Sequence, residues 1–247
     1  MKKLLTLSVV FLSLLSCTGN QKPEQAEVID SKANIESKTS EKGTEIDFAE
    51  FKDIVLLAPD TANSDAKLMY ALKKRRSTRD YTGENISLEQ LSNLLWAAYG
   101  VNRVEGGRTA PTIYARYPIT VYVVFPKGIY LYDAEMNTLR AVAEGDFRKA
   151  TGEQEFVHTA PLNLLFVADM NKYVDFSFMP ENVLTTYAMA DAAFISQNVY
   201  LYCAASDLGT MVRIAEVDEA ELLKQLKLDG KTHRILLTQT VGCKSNP

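Results

Sequence analysis

The chain has 247 residues, a formal net charge of −4, 47% hydrophobic and 23% charged residues. That balance belongs to an ordinary globular protein with enough chain for one sizeable core, and its acidic sign excludes a general nucleic-acid binder. The two histidines, His158 and His233, are far apart and have no cysteine or histidine near them, so no zinc-ligand pattern is present.

The first predicted element is a targeting segment. Lys2 and Lys3 precede an apolar run from Leu4 to Leu15, too short to span a bilayer, that ends in Ser16 and Cys17. "LLSC" resembles a bacterial lipobox, in which the chain is cut before the cysteine and the thiol is acylated. This implies a signal peptide over residues 1–16, a lipid anchor at Cys17 and a place in the bacterial cell envelope. An ordinary cleaved signal is the alternative. From Thr18 to about Asp47 the chain is rich in Lys, Glu, Ser, Thr, Gln and Asn. Such a segment cannot bury enough apolar surface to order itself and reads as a tether, over 17–47, to a domain at 48–247.

The folded region is expected to begin near Phe51. "DIVLLAP" is a short apolar run stopped by Pro59. "SDAKLMYALKK" predicts a helix capped by Ser64 with Leu68, Met69 and Leu72 on one face. "SLEQLSNLLWAAYG" predicts a second, with capping-box spacing from Ser87 to Gln90 and Gly100 as C-cap. The period then shortens. "YPITVYVVF" and "GIYLYD" predict a hairpin across "PK", and "NLLFVAD" a buried strand. "VLTTYAMADAAFISQNVYLYCAASDLG" predicts a long apolar helix ending near Gly209, with Cys203 as a packed thiol. "TMVRI" reads as a brief strand, "DEAELLKQLKL" as a capped helix and "HRILLTQTVG" as a final strand. This mixture predicts an α+β domain, one sheet covered by helices. Spacing alone does not say whether Cys203 and Cys243 pair.

"RRSTR", Arg75 to Arg79, sets three guanidiniums and two hydroxyls in five residues at the end of the first helix. Arginine forks match phosphate in two-point geometry. Lys73 to Arg76 can also complement the negative end of the helix dipole, but Ser77, Thr78 and Arg79 lie past it. The residues alone leave phosphate binding and a solvated basic turn both open.

Several stretches together resemble the nitroreductase family of FMN-dependent oxidoreductases: "RRSTRDY", "ISLEQLSNLLWAAYGVNR", "RTAPTIYARYPITVYVV", "GIYLYD", "TAPLNLLFVAD" and "DAAFISQNVYLYCAASDLGT", in family order over residues 54–241. The subgroup resembled includes the azoline-oxidising dehydrogenases of peptide natural products. The resemblance implies a nitroreductase-like fold with a mostly antiparallel sheet and a long central helix. It implies hydride transfer in two steps through flavin N5, and a homodimer with FMN at the subunit interface. Arg75, Arg76, Ser77 and Arg79 would hold the FMN phosphate. Pro111 and Thr112 would lie beside the ring. Leu208, Gly209 and Thr210 would present backbone N–H groups near N5 and O4. Lys244 would complete the phosphate site, a solvated lysine being the other reading. Lys172 and Tyr173 resemble an acid–base pair of the azoline relatives, a plain loop pair being the alternative.

Departures from the pattern are Ala193 for a helix Gly, Asp207 for the first Gly of Gly-Leu-Gly, and Tyr114 where those relatives favour Gly, which would narrow the substrate side. The family draws electrons from NADH or NADPH, which an envelope protein would not meet, so the donor is open and the substrate is a small molecule of unspecified class. A non-catalytic envelope lipoprotein that kept the fold, and an azoline-type peptide dehydrogenase, are the rival readings.

Overall fold

A computed structural model describes residues 44–61, 68–214 and 217–245. The signal peptide, Cys17, the tether to residue 43 and the Ser64 cap lie outside these residues. In chain order the elements are β1 (Ile54–Val55), α1 (Leu68–Lys74), α2 (Leu88–Tyr99), β2 (Ile119–Phe125), β3 (Gly128–Asp133), β4 (Thr138–Glu144), α3 (Glu155–Thr159), β5 (Leu162–Asp169), α4 (Glu181–Ala205), β6 (Leu208–Arg213), α5 (Glu219–Leu226) and β7 (His233–Cys243), with three short 3₁₀ turns. The strands form one sheet in the order β1-β4-β3-β2-β5-β7-β6, antiparallel at every pairing.

The central strands are apolar on both faces because both faces are covered. Successive side chains of a strand point to opposite sides. Val121, Val123, Leu164 and Phe166 therefore join a core with α2 and α4, while Tyr122, Val124, Leu165 and Val167 join a second core with Leu222 and Leu226 of α5. Leu91, Leu94 and Leu95 of α2 are fully buried, and each contributes about 1.5–3 kcal/mol by leaving water.

The helix signals hold in detail. Ser87 accepts from Gln90 N, and the Gln90 side chain accepts from Ser87 N. Gly100 closes α2, but for space rather than handedness. Its φ is −67°, and a Cβ there would lie 2.3 Å from the Trp96 ring. Packing starts earlier than Phe51, since Ile46 is buried and the Phe48 ring lies 4.9 Å from that of Phe125. Two elements carry no clear sequence signal: β4, with only Leu139 buried, and the five-residue α3.

Helix α4 is the spine. Its buried residues Leu184, Ala188, Asp191, Ala192, Ile195, Ser196, Val199, Tyr200 and Cys203 recur every three or four positions, as one face of a helix requires. Cys203 is a free buried thiol whose pKa burial pushes up. Val199 faces this core, whereas Phe194 is 46% exposed. The helix stops at Ala205, and Asp207 takes the left-handed conformation at φ 58°, which Asp tolerates better than most residues.

Candidate functional site

The basic segment begins where α1 ends. Arg75 N makes the last helical bond, to Ala71 O at 2.8 Å. The chain then runs along the edge of the sheet. Thr78 N donates to Thr210 O at 2.9 Å, Thr82 N to Cys243 O at 3.0 Å and Ser245 N to Asp80 O at 3.2 Å. Tyr81 pairs with Lys244 in an isolated bridge, and its hydroxyl donates to Thr78 O at 2.6 Å. Gly209 lets the segment lie this close: a Cβ there would stand 2.9 Å from Thr78 Cγ2 and 3.0 Å from Lys244 Cγ.

This seam borders a cavity of about 800 Å³, lined by Arg76, Ser77, Arg79, Asp207 and Lys244 among others. Lys244 Nζ donates to Asp207. Among the described residues, Arg76 and Arg79 make no ion pair, so two guanidiniums without a paired carboxylate border the cavity, which Asp80 and Asp207 also line. Arg75 is directed elsewhere. Its guanidinium lies 5.4 Å from the Tyr200 ring centre, and it does not line the cavity. Ser77 Oγ is 2.9 Å from Tyr200 Oη, which also accepts from Val212 N at 3.1 Å. One hydroxyl on α4 thereby ties the segment to β6.

Strand β6 is the sheet's edge. In an antiparallel strand the backbone groups of alternate residues point to opposite sides. Thr210 O bonds Thr78, so Thr210 and Leu208 present their backbone to the Arg75–Asp80 segment, while Gly209 turns its own towards β7. Both Leu208 and Thr210 are buried, and neither lines the cavity. The Thr210 side chain is buried and donates to Thr240 O at 2.8 Å.

Pro111 and Thr112 belong to a second region, near the middle of α4. Thr112 Oγ1 donates to Asp191 at 2.7 Å and accepts from Tyr117 N at 3.0 Å, and Ile113 N donates to the other Asp191 oxygen at 3.0 Å. Asp191 is 1% exposed; burial pushes its carboxyl pKa up, opposed by the bonds from Thr112 and Ile113. From Asp191 to Tyr200, whose hydroxyl meets Ser77, α4 rises about 14 Å, so the two regions stand about two and a half turns apart on one helix rather than together.

Lys172 and Tyr173 are not brought together either. They lie in a 3₁₀ turn, Met170–Phe176, which leaves Lys172 exposed and Tyr173 1% exposed. The Tyr173 hydroxyl is buried without a hydrogen-bond partner. Burial pushes its pKa up, and the Asp191 carboxylate raises it further.

The nitroreductase family model matches residues 72–243. The chain belongs to the nitroreductase family. A protein of Methanocaldococcus jannaschii named as a nitroreductase is 30% identical over 187 residues, 70% of this chain and 89% of its own length. A crystal structure of a nitroreductase-type protein from Ralstonia eutropha JMP134 is 37% identical, covers 85% of this chain and 97% of that one, and superposes with a TM-score of 0.72. A structure from Desulfovibrio desulfuricans, solved in complex with FMN, shares the fold at 22% identity and a TM-score of 0.52, covering 72% of this chain and 87% of that one. The seven-stranded antiparallel sheet and long α4 are thus the nitroreductase fold. The sequence pattern assigns no role to two residues of this candidate site, Asp191 and Tyr200. Each is a polar group on the buried face of an apolar helix, which is the signal that could have singled them out.

Proposed function

We propose that this nitroreductase-family protein is an FMN-dependent oxidoreductase that works as a homodimer on a small-molecule substrate, held in the bacterial cell envelope by an acylated Cys17. The observation that carries the cofactor reading is the pair Arg76 and Arg79, both without a carboxylate partner at the border of the cavity. Guanidiniums without an ion-pair partner among the described residues, beside a cavity, fit an anionic ligand, and Gly209 lets the segment that carries them lie against β6. Arg76, Arg79 and Lys244 would hold the phosphate through charge-assisted bonds, and Ser77 would add a hydroxyl. Arg75 would act through the Tyr200 ring rather than on the phosphate. Leu208 and Thr210 would face the ring with their N–H groups.

When bound, FMN supplies the hydride chemistry, and the protein supplies position and charge. Pro111 and Thr112, which the resemblance places beside the ring, would meet it from the partner copy in a homodimer with FMN at the subunit interface. Exposed Phe194 on α4 and exposed Phe178 suit such a contact. The reading assigns no role to Lys172 and leaves NAD(P)H as the donor of the family rather than of this chain.

The full-length protein extracted in detergent should be yellow, should release FMN rather than FAD on denaturation, and should sediment as a dimer. A colourless protein that takes up no added FMN would sink the enzyme reading. Anchoring is tested separately by fatty-acid labelling, which should mark wild type and not Cys17→Ser. An unlabelled wild type would exclude the lipid anchor.

A further inference from the structure

The segment that carries Thr112 has three residues in the left-handed region that are not glycine: Tyr114 at φ 55°, Ala115 at φ 54° and Tyr117 at φ 49°. Each costs free energy that glycine would not. Strain of this kind persists only where the surroundings over-determine the backbone. Asp191 supplies one constraint, since both its oxygens are engaged by Thr112 and Ile113. Rings supply the other. The Tyr114 ring stacks on Phe176 at 4.7 Å and 20°, and meets Tyr187 edge-on at 5.9 Å. Phe176 is itself held by the Arg116 guanidinium at 4.8 Å, and Arg116 pairs with Asp175 at 3.0 Å.

A ring fixed from two sides would ordinarily be buried, yet Tyr114 is 55% exposed. Core packing therefore does not explain why a large side chain occupies a strained position two residues from Thr112. We propose that Tyr114 is the specificity-determining residue of the ring site: its clamped, half-exposed ring narrows the approach to the flavin beside Thr112, admitting small or flat molecules and excluding bulky ones. The inference rests on the flavin reading above. Asp191 is the positioning residue, acting on substrate size only through the turn.

The test uses full-length, FMN-loaded protein with Tyr114→Gly and Tyr114→Phe. Gly relieves the left-handed backbone, so the variant should fold, and Phe keeps the ring. The first readout needs no turnover: acrylamide quenching of bound-flavin fluorescence should increase in Tyr114→Gly and match wild type in Tyr114→Phe. The second follows anaerobic reoxidation of dithionite-reduced protein, which passes two electrons to benzoquinone or to its di-tert-butyl derivative to give the hydroquinones. Each quinone is compared between variant and wild type, so its own potential cancels. Opening a steric pocket changes discrimination by roughly tenfold or more. Tyr114→Gly should therefore accelerate the bulky quinone by about that factor and leave benzoquinone little changed. Equal acceleration of both quinones, or unchanged quenching, overturns the gate while the flavin reading stands. Protein that holds no FMN in any variant overturns both.

Discussion

The two ends of the candidate site are built on opposite principles. The segment Arg75–Asp80 is largely exposed, and Arg76 and Arg79 border the cavity from a backbone stitched to the edge of the sheet. The turn around Thr112 is organised from within, by a buried carboxylate that holds two donors and a strained backbone in place. At the first end the side chains are the function and the scaffold is backbone. At the second, a side chain is the scaffold. The difference teaches that removing a charge at the seam should change binding without changing the fold, whereas removing Asp191 should act first on stability and on the ring site only through it.

Asp191 should give the largest effect. Asp191→Ala leaves the Thr112 hydroxyl and the Ile113 N–H without their acceptor, and hydrogen bonds to charged groups contribute about 1.5–3 kcal/mol each. Because the burial penalty of the carboxylate is relieved at the same time, the expected loss is less than the two bonds together, about 2–4 kcal/mol, read as a lower urea midpoint at unchanged slope. Unaltered stability would break the comparison. Asp191→Asn sharpens it. Burial raises the folded-state carboxyl pKa above its ordinary value of 3.8. A group raised on folding contributes stability that is present below the unfolded pKa and lost as pH rises through the folded one. Wild type should therefore exceed Asp191→Asn most at acid pH, and the margin should narrow as pH rises past 3.8. A margin that widens would mean the carboxylate is stabilised by its bonds more than it is penalised by burial.

The seam should respond in affinity. Arg79→Ala should weaken FMN binding by about tenfold or more and riboflavin binding little, because riboflavin lacks the phosphate. Titration of apoprotein with both flavins decides this, with Lys73→Ala, on α1, as a control that changes neither. Equal losses for both flavins would assign Arg79 to the ring or the fold. Arg75→Ala should show the smallest effect, since an exposed cation over an aromatic ring contributes about 0.5–1 kcal/mol. A loss as large as that of Arg79 would mean that Arg75 swings to the phosphate.

What the sequence disclosed follows the same division. Capping, alternation and turn residues are local, so α2, the β2–β3 hairpin and β5 could be read directly. Strand β4 could not, because Arg140 and its alanines give no alternation and its place depends on pairing with β1 and β3. Arg76, Arg79 and Lys244 were legible as charge. The clamp at Asp191 was not, because its partners lie 78 and 79 positions away and only the fold joins them. Lys172 and Tyr173 show the converse: neighbours in sequence that a tight turn sends to different surroundings.

The stitching of the basic segment to the far end of the chain also fixes an order of assembly. Arg76 and Arg79 are synthesised early, but the bonds that hold their segment run to Thr210 and to Cys243, and β6 joins the sheet only through β7. Contacts so distant in sequence are made late, after the entropy of closing long loops has been overcome. The seam that borders the cavity is therefore complete only once β7 has paired. A chain that ends before Cys243 holds the arginines but not the seam, so retention of a phosphate-bearing ligand is expected only after the final strand has docked.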